Sequence, residues 1–185
     1  MRKESLKVLG IEVSRDLPAK ELFRLSNEEL MDPQVAYKVS VLREFCEEFY
    51  ETSLEDLPPI QSPTEAVAVL SPHLRYLDHE ECWVVLLNRA NKILSKHRMS
   101  SGTVSACQID VARIAKMAII EGATGVILAH NHPSGNPKPG LADINETSNL
   151  KKVLNTLSIN LLDHIIFADG RYFSFAEDRE FSLKE

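Results

Sequence analysis

The chain has 185 residues, with 21 lysines and arginines against 27 aspartates and glutamates, and a formal net charge of −6. That balance argues against a broad phosphate-binding surface, which needs clustered cations, and no apolar stretch reaches the roughly eighteen residues that a membrane-spanning helix requires. Three widely spaced cysteines, Cys46, Cys82 and Cys107, form no Cys-x-x-Cys pair; with an N-terminus lacking the apolar middle of a secretion signal, they lead us to expect a cytoplasmic protein with reduced thiols.

Residues 1–61 differ from the rest: they carry eight Lys/Arg, thirteen Asp/Glu and almost no glycine. Ser26-Asn27-Glu28-Glu29 has the form of a capping box, and Val35 to Tyr50 places apolar residues at helical spacing. We read this region as a helical N-terminal appendage, a packing or homodimer-forming arm, and the proline pair in Glu55–Gln61 as an extended linker. A second domain is expected over 62–185. Ser62-Pro63-Thr64-Glu65 opens a helix running to about Tyr76, by N-cap serine, first-turn proline and box-closing glutamate. Its apolar face includes Ala66, Val69, Leu70, Leu74 and Leu77. Trp83–Leu87 reads as a central strand, Asn88–Asn91 as a turn and Lys92–Ser101 as the partner strand, with His97 at the surface. Asp110 caps a helix from Val111 to about Glu121, which Gly122 stops; Val111, Ile114, Ala115, Ala118 and Ile119 form its buried face.

The apolar run Thr124–Ala129 is a buried strand that leads into His130-Asn131-His132-Pro133-Ser134-Gly135-Asn136-Pro137-Lys138-Pro139-Gly140-Leu141-Ala142-Asp143. In extended chain, residues i and i+2 share a side, so His130 and His132 can aim at one point. The three prolines keep the loop from being helical, and Asp143 falls in the first turn of a helix from Leu141 to about Leu157. That helix carries Ile144, Thr147, Leu150, Val153, Leu154 and Leu157 as its apolar set. A His-x-His pair alone is weak evidence. Two imidazoles and a carboxylate on rigid elements, however, make a three-ligand set with room for water, the pattern of a catalytic zinc site. Zinc suits these ligands best, with manganese or iron as lesser candidates. Downstream, Asn160–Ala168 reads as a strand, Asp169-Gly170 as a hairpin turn and Arg171–Phe175 as the return strand. Asp163 and His164 lie within the first of these. They are read as outer groups that orient the metal-bound imidazoles, and Ser134 as a residue shaping the substrate groove.

The spacing His-x-His, seven residues, a small residue, two residues, Asp resembles the metal motif of the JAMM (JAB/MPN) metallopeptidases. The longer string His-Asn-His-Pro-Ser-Gly-x-Pro-x-Pro, with Leu161–Ile166 and Asp169–Phe175 downstream, is similar to the RadC branch of that family over about Ile60–Phe175. The resemblance implies an α/β (α+β) three-layer fold, a mixed central sheet flanked by helices and related in layout to the cytidine deaminases. It also implies hydrolysis of an amide or isopeptide bond in a peptide or protein substrate. The family's upstream glutamate, which holds and deprotonates the attacking water, falls at Glu80; a one-residue slip would put Glu81 there instead and turn it to the other face. The family serine falls at position 140, which here is Gly140. The branch's helix-hairpin-helix turn is absent from residues 1–61, so nucleic-acid binding is not carried over.

Three rivals frame the reading. A contiguous His-Asn-His is no evidence for the nucleases known by those letters, whose residues are dispersed. A deaminase needs His-x-Glu and Pro-Cys-x-x-Cys, both missing. A non-catalytic scaffold, or a DNA-repair accessory of the RadC type, is the serious alternative.

Overall fold

The computed structural model describes residues 33–50, 57–75, 77–102 and 109–183. These belong to two compact units. Helix α1, Pro33–Tyr50, belongs to the first. The capping box read at Ser26–Glu29, and Cys107, lie outside the described residues.

The second unit is built on six strands: β1 (Glu80–Leu87), β2 (Ile93–Gly102), β3 (Gly125–Asn131), β4 (Asn160–Ala168), β5 (Arg171–Ser174) and β6 (Arg179–Ser182). Their order across the sheet is β2-β1-β3-β4-β5-β6. All neighbours are antiparallel except β3 and β4, which run parallel with helix α4 (Leu141–Thr156) between them in sequence. The sheet is thus mixed and flanked by helices, as read from the resemblance. The strand expected at Thr124–Ala129 runs two residues further, through His130 and Asn131, and every one of its seven residues is buried. That is the signature of a strand covered on both faces, which reads as a continuous apolar run. The strand read as central, around Trp83–Leu87, is interior, paired with β2 on one side and β3 on the other.

Alternation splits the core into two layers. Cys82, Val84 and Leu86 of β1, with Val126 and Leu128 of β3, pack beneath α3 (Val111–Ile120) and α4 through Ile114, Ala118, Leu150 and Leu154. On the other face, α2 (Pro63–Leu74) stacks its His73 on Trp83, ring centroids 4.2 Å apart. Capping chemistry sets the helix starts. Ser62 and Glu65 complete a reciprocal box at α2, and Asp110 accepts from the Arg113 amide at α3. Gly122 stops α3 at φ +66°, the left-handed conformation glycine adopts at no steric cost. Ile60, in the stretch read as linker, is buried, and its amide donates to the Asn91 carbonyl.

Ile119, read as part of the buried face of α3, is exposed, and so are Ile144 and Leu157, the first and last of the apolar set read on α4. The sixth strand, β6, was missing from the reading altogether, since it carries too few residues to show a period; it is held by Phe181 stacked on Tyr172 of β5.

Candidate metal centre

The site forms where the carboxyl end of β3 meets the amino end of α4. His130 is the sixth residue of β3 and His132 the first beyond it. Asp143 is the third residue of α4. Among the described residues this trio is the group whose donor atoms converge well enough to hold an ion. The Nε2 atoms of His130 and His132 stand 2.9 Å apart. Asp143 places Oδ1 3.3 Å from the first and Oδ2 3.6 Å from the second. Ligands bonded to tetrahedral zinc at about 2.0–2.2 Å are roughly 3.3–3.6 Å from one another, so the trio fits with shifts of a few tenths of an ångström. The far sides are tied as well. His132 Nδ1 donates to the Asn136 carbonyl at 2.8 Å, which leaves its Nε2 as the free donor atom. Gly140 N donates to Asp143 Oδ2 at 2.7 Å.

The ionisation of Asp143 and His132 reflects their convergence on one point. Burial opposes charge on Asp143, but the imidazoles of His130 and His132 beside it outweigh this and hold its carboxyl far below the usual carboxylate range. Burial likewise opposes protonation of His132, yet Asp143 beside it, the Asn136 carbonyl and the charge of Glu80 raise it above the ordinary imidazole value. The site therefore draws a positive charge, whether a proton or a metal ion.

Antiparallel pairing decides between the two glutamates. Cys82 of β1 lies directly opposite His130 of β3, so their side chains share a face, and Glu80, two residues earlier, shares it too. Glu80 lines a cavity of about 360 Å3 together with Cys82, His130, His132, Asp143 and Glu146. Glu81 is turned to the α2 face. There it is buried and accepts from Trp83 Nε1 at 2.9 Å and Arg98 Nη1 at 3.2 Å. Asn131 fixes this arrangement: its Oδ1 accepts the Glu81 amide at 2.7 Å and its Nδ2 donates to the His79 carbonyl at 2.7 Å. One buried carboxamide thus grips the peptide groups on either side of Glu80.

Ser134 lies exposed on the cavity lining. His164 sits behind the site, its Nε2 2.8 Å from His130 Nδ1. Asp163, expected to share that orienting role, points to the opposite face, where it accepts from Ser174 Oγ at 2.7 Å and the Ala176 amide at 2.9 Å; it pins the turn after β5 and does not reach the cavity. Two contributors went unread in the sequence. Glu146, one helical turn after Asp143, lines the cavity; burial pushes its carboxyl up, a hydrogen bond with Ile109 works against this, and the charge of Asp143 adds to the rise. Thr147, counted as an apolar helix position, bonds His164. Their i+3 and i+4 spacing from Asp143 was the available signal.

Comparison with known proteins bears on the same residues. A sequence model of the RadC-like JAB domain matches residues 60–180. The chain is 38% identical to a UPF0758 protein of Flavobacterium johnsoniae over 122 residues, covering 66% of this chain and 53% of that protein. It is 41% identical to a UPF0758 protein of Porphyromonas gingivalis over 128 residues, 67% and 56% of the two chains. A UPF0758 protein of Xanthomonas campestris pv. campestris (strain 8004) is 32% identical over 162 residues, 88% of this chain and 71% of that one. The chain spans about half the length of the first two relatives.

Proposed function

Because this chain belongs to the RadC-like JAB domain family, we propose that it is a zinc-dependent hydrolase that cleaves an amide or isopeptide bond in a peptide or protein. The observation that carries the reading is the convergence of His130 Nε2, His132 Nε2 and the Asp143 carboxylate on a cavity that Glu80 also lines. Zinc held there would lower the pKa of a coordinated water toward about 7 and polarise the scissile carbonyl.

The chain's own residues do the rest. Glu80 takes a proton from the attacking water as the new C–O bond forms. It returns that proton to the amine nitrogen as the C–N bond breaks, giving a carboxylic acid and an amine. Asn131 holds Glu80 in place through the peptide groups on either side of it. Helix α4 presents Asp143 with one oxygen already engaged by the Gly140 amide. That amide is therefore committed and does not serve a developing oxyanion. Position 140 offers no hydroxyl for that purpose either, which favours one alternative, a scaffold that holds the ion without turnover.

The test is a zinc-loaded protein assayed on peptide and isopeptide-linked substrates beside Glu80→Gln. We expect one zinc per chain, hydrolysis that chelation abolishes, and a variant that keeps its zinc but loses about 10²–10⁴ in rate. Failure to retain zinc, or a variant as active as the parent, overturns the proposal. Zinc at one per chain with no hydrolysis of any substrate selects the scaffold.

A further inference from the structure

Behind the three proposed ligands lies a chain of polar groups that the hydrolytic scheme leaves unused. His164 is fully buried, stacked on Phe175 with centroids 4.8 Å apart and rings 6° from parallel. It stands between His130, whose Nδ1 is 2.8 Å from its Nε2, and Thr147, whose Oγ1 is 2.6 Å from its Nδ1. Thr147 Oγ1 also donates to the main-chain carbonyl of Asp143.

The direction of every hydrogen bond follows from that last contact. A carbonyl only accepts, and a hydroxyl has one proton, so the Thr147 proton is committed to Asp143. Thr147 must then accept from His164 Nδ1–H. A neutral imidazole with Nδ1 protonated has a bare Nε2, so His164 accepts from His130 Nδ1–H. His130 is left with its Nε2 lone pair facing His132 and Asp143. Full burial disfavours a charged imidazole at His164, in keeping with its neutral part in this chain.

We infer that Thr147 and His164 are positioning residues that fix His130 in the Nδ1–H tautomer and tie this imidazole to the main chain of Asp143. With a shared ion in front, where Nε2 of His130 and Oδ1 of Asp143 stand 3.3 Å apart, His130 and Asp143 would be linked twice, the second time behind through His164 and Thr147. A strand residue and a helix residue are thereby held as one unit. Without the Thr147 hydroxyl, His164 is free to take the other tautomer, donate from Nε2 to His130 Nδ1, and leave the proton on His130 Nε2, where it blocks ligation. The inference rests on His130 and Asp143 being ligands, but the tautomer is measurable with no ion present.

Thr147→Val keeps the shape and removes the hydroxyl; Thr147→Ser keeps the hydroxyl. Long-range 1H–15N correlation spectra of the ion-free full chain read the His130 tautomer, chelator competition reads zinc affinity, and thermal unfolding confirms that each variant folds. We expect Nδ1–H at His130 in the parent and Thr147→Ser, Nε2–H gaining in Thr147→Val, and zinc binding weakened about 10–100-fold in that variant alone. An Nε2–H tautomer in the parent overturns the inference. So does Thr147→Val with parental tautomer and affinity, or Thr147→Ser as impaired as Thr147→Val. Absence of hydrolysis alongside the expected tautomers would sink the hydrolase reading and leave this one standing.

Discussion

At position 140 the backbone is extended, φ −79° and ψ 172°, and a Cβ there would meet the Asp143 carboxylate at 3.4 Å, an ordinary contact. Serine therefore fits without strain and brings a hydroxyl to the cavity lining. Oxyanion donors typically contribute about 10²–10³ in rate, so Gly140→Ser is expected to raise kcat by at least about tenfold with zinc affinity unchanged. Steady-state kinetics of the zinc-loaded variant check this; an unchanged kcat would show that the hydroxyl has no part in turnover. His132 sets the pH response. Its protonated form is favoured above the ordinary imidazole value, and zinc must displace that proton. Zinc affinity should therefore be flat above the raised pKa and fall by about tenfold per pH unit as pH drops below it. Competition with a chelator of known pH dependence gives the slope; an affinity that does not change with pH around the raised value would show that His132 is not a ligand. The convergence of His130, His132 and Asp143 was legible in the sequence because strand, loop and first helical turn are contiguous, so local spacing decides the geometry. The roles of Thr147 and Asn131 were not, because each depends on which strand lies alongside β3.

Among the elements, the pairing of β1 with β3 governs the proposed base. Asn131 reaches from the end of β3 to His79 and Glu81 at the start of β1, locking a register in which a slip of one residue would exchange Glu80 for Glu81. Asn131→Ala leaves the buried Glu81 amide and the half-buried His79 carbonyl without these partners, the first at a cost of about 1–3 kcal/mol. We expect it to retain zinc while kcat falls, since His130 and His132 are held by other contacts. Equal losses of zinc and turnover would show that Asn131 braces the ligands instead. The helices show where periodicity stops informing. A stripe of apolar residues on α3 and α4 identified the side facing the sheet, and Ile114, Ala118, Leu150 and Leu154 are indeed buried there. It did not tell how far the cover extends along or around each helix, so Ile119 was misread and Ile144 and Leu157 of the apolar set lie uncovered. The two glutamates were ordered by the family's spacing; the cross-strand pair Cys82 and His130 supplies the physical reason for placing them on opposite faces.

On the scale of the whole second unit, the sheet carries apolar layers on both faces, with Val84, Leu86, Val126 and Leu128 on one and Val85, Leu87, Ile127 and Ala129 on the other, all buried. A core of that kind does not need an ion to fold, unlike small zinc-dependent modules. Stripping the metal is therefore expected to leave a cooperative unfolding transition, and free zinc at a hundred times its Kd to add about 2.7 kcal/mol. Calorimetry across a zinc series checks both, and His130→Ala should show no zinc-dependent rise in Tm.

Strand β3, whose seven residues are all buried, is hydrogen-bonded on both edges, to β1 and to β4. Its amides should be among the last in the molecule to trade their hydrogens with deuterated solvent, escaping only when the whole unit opens. An ion arriving at or leaving His130 would then do so from an already finished socket. Loading and loss would be governed by access through the cavity mouth, on a clock far quicker than refolding.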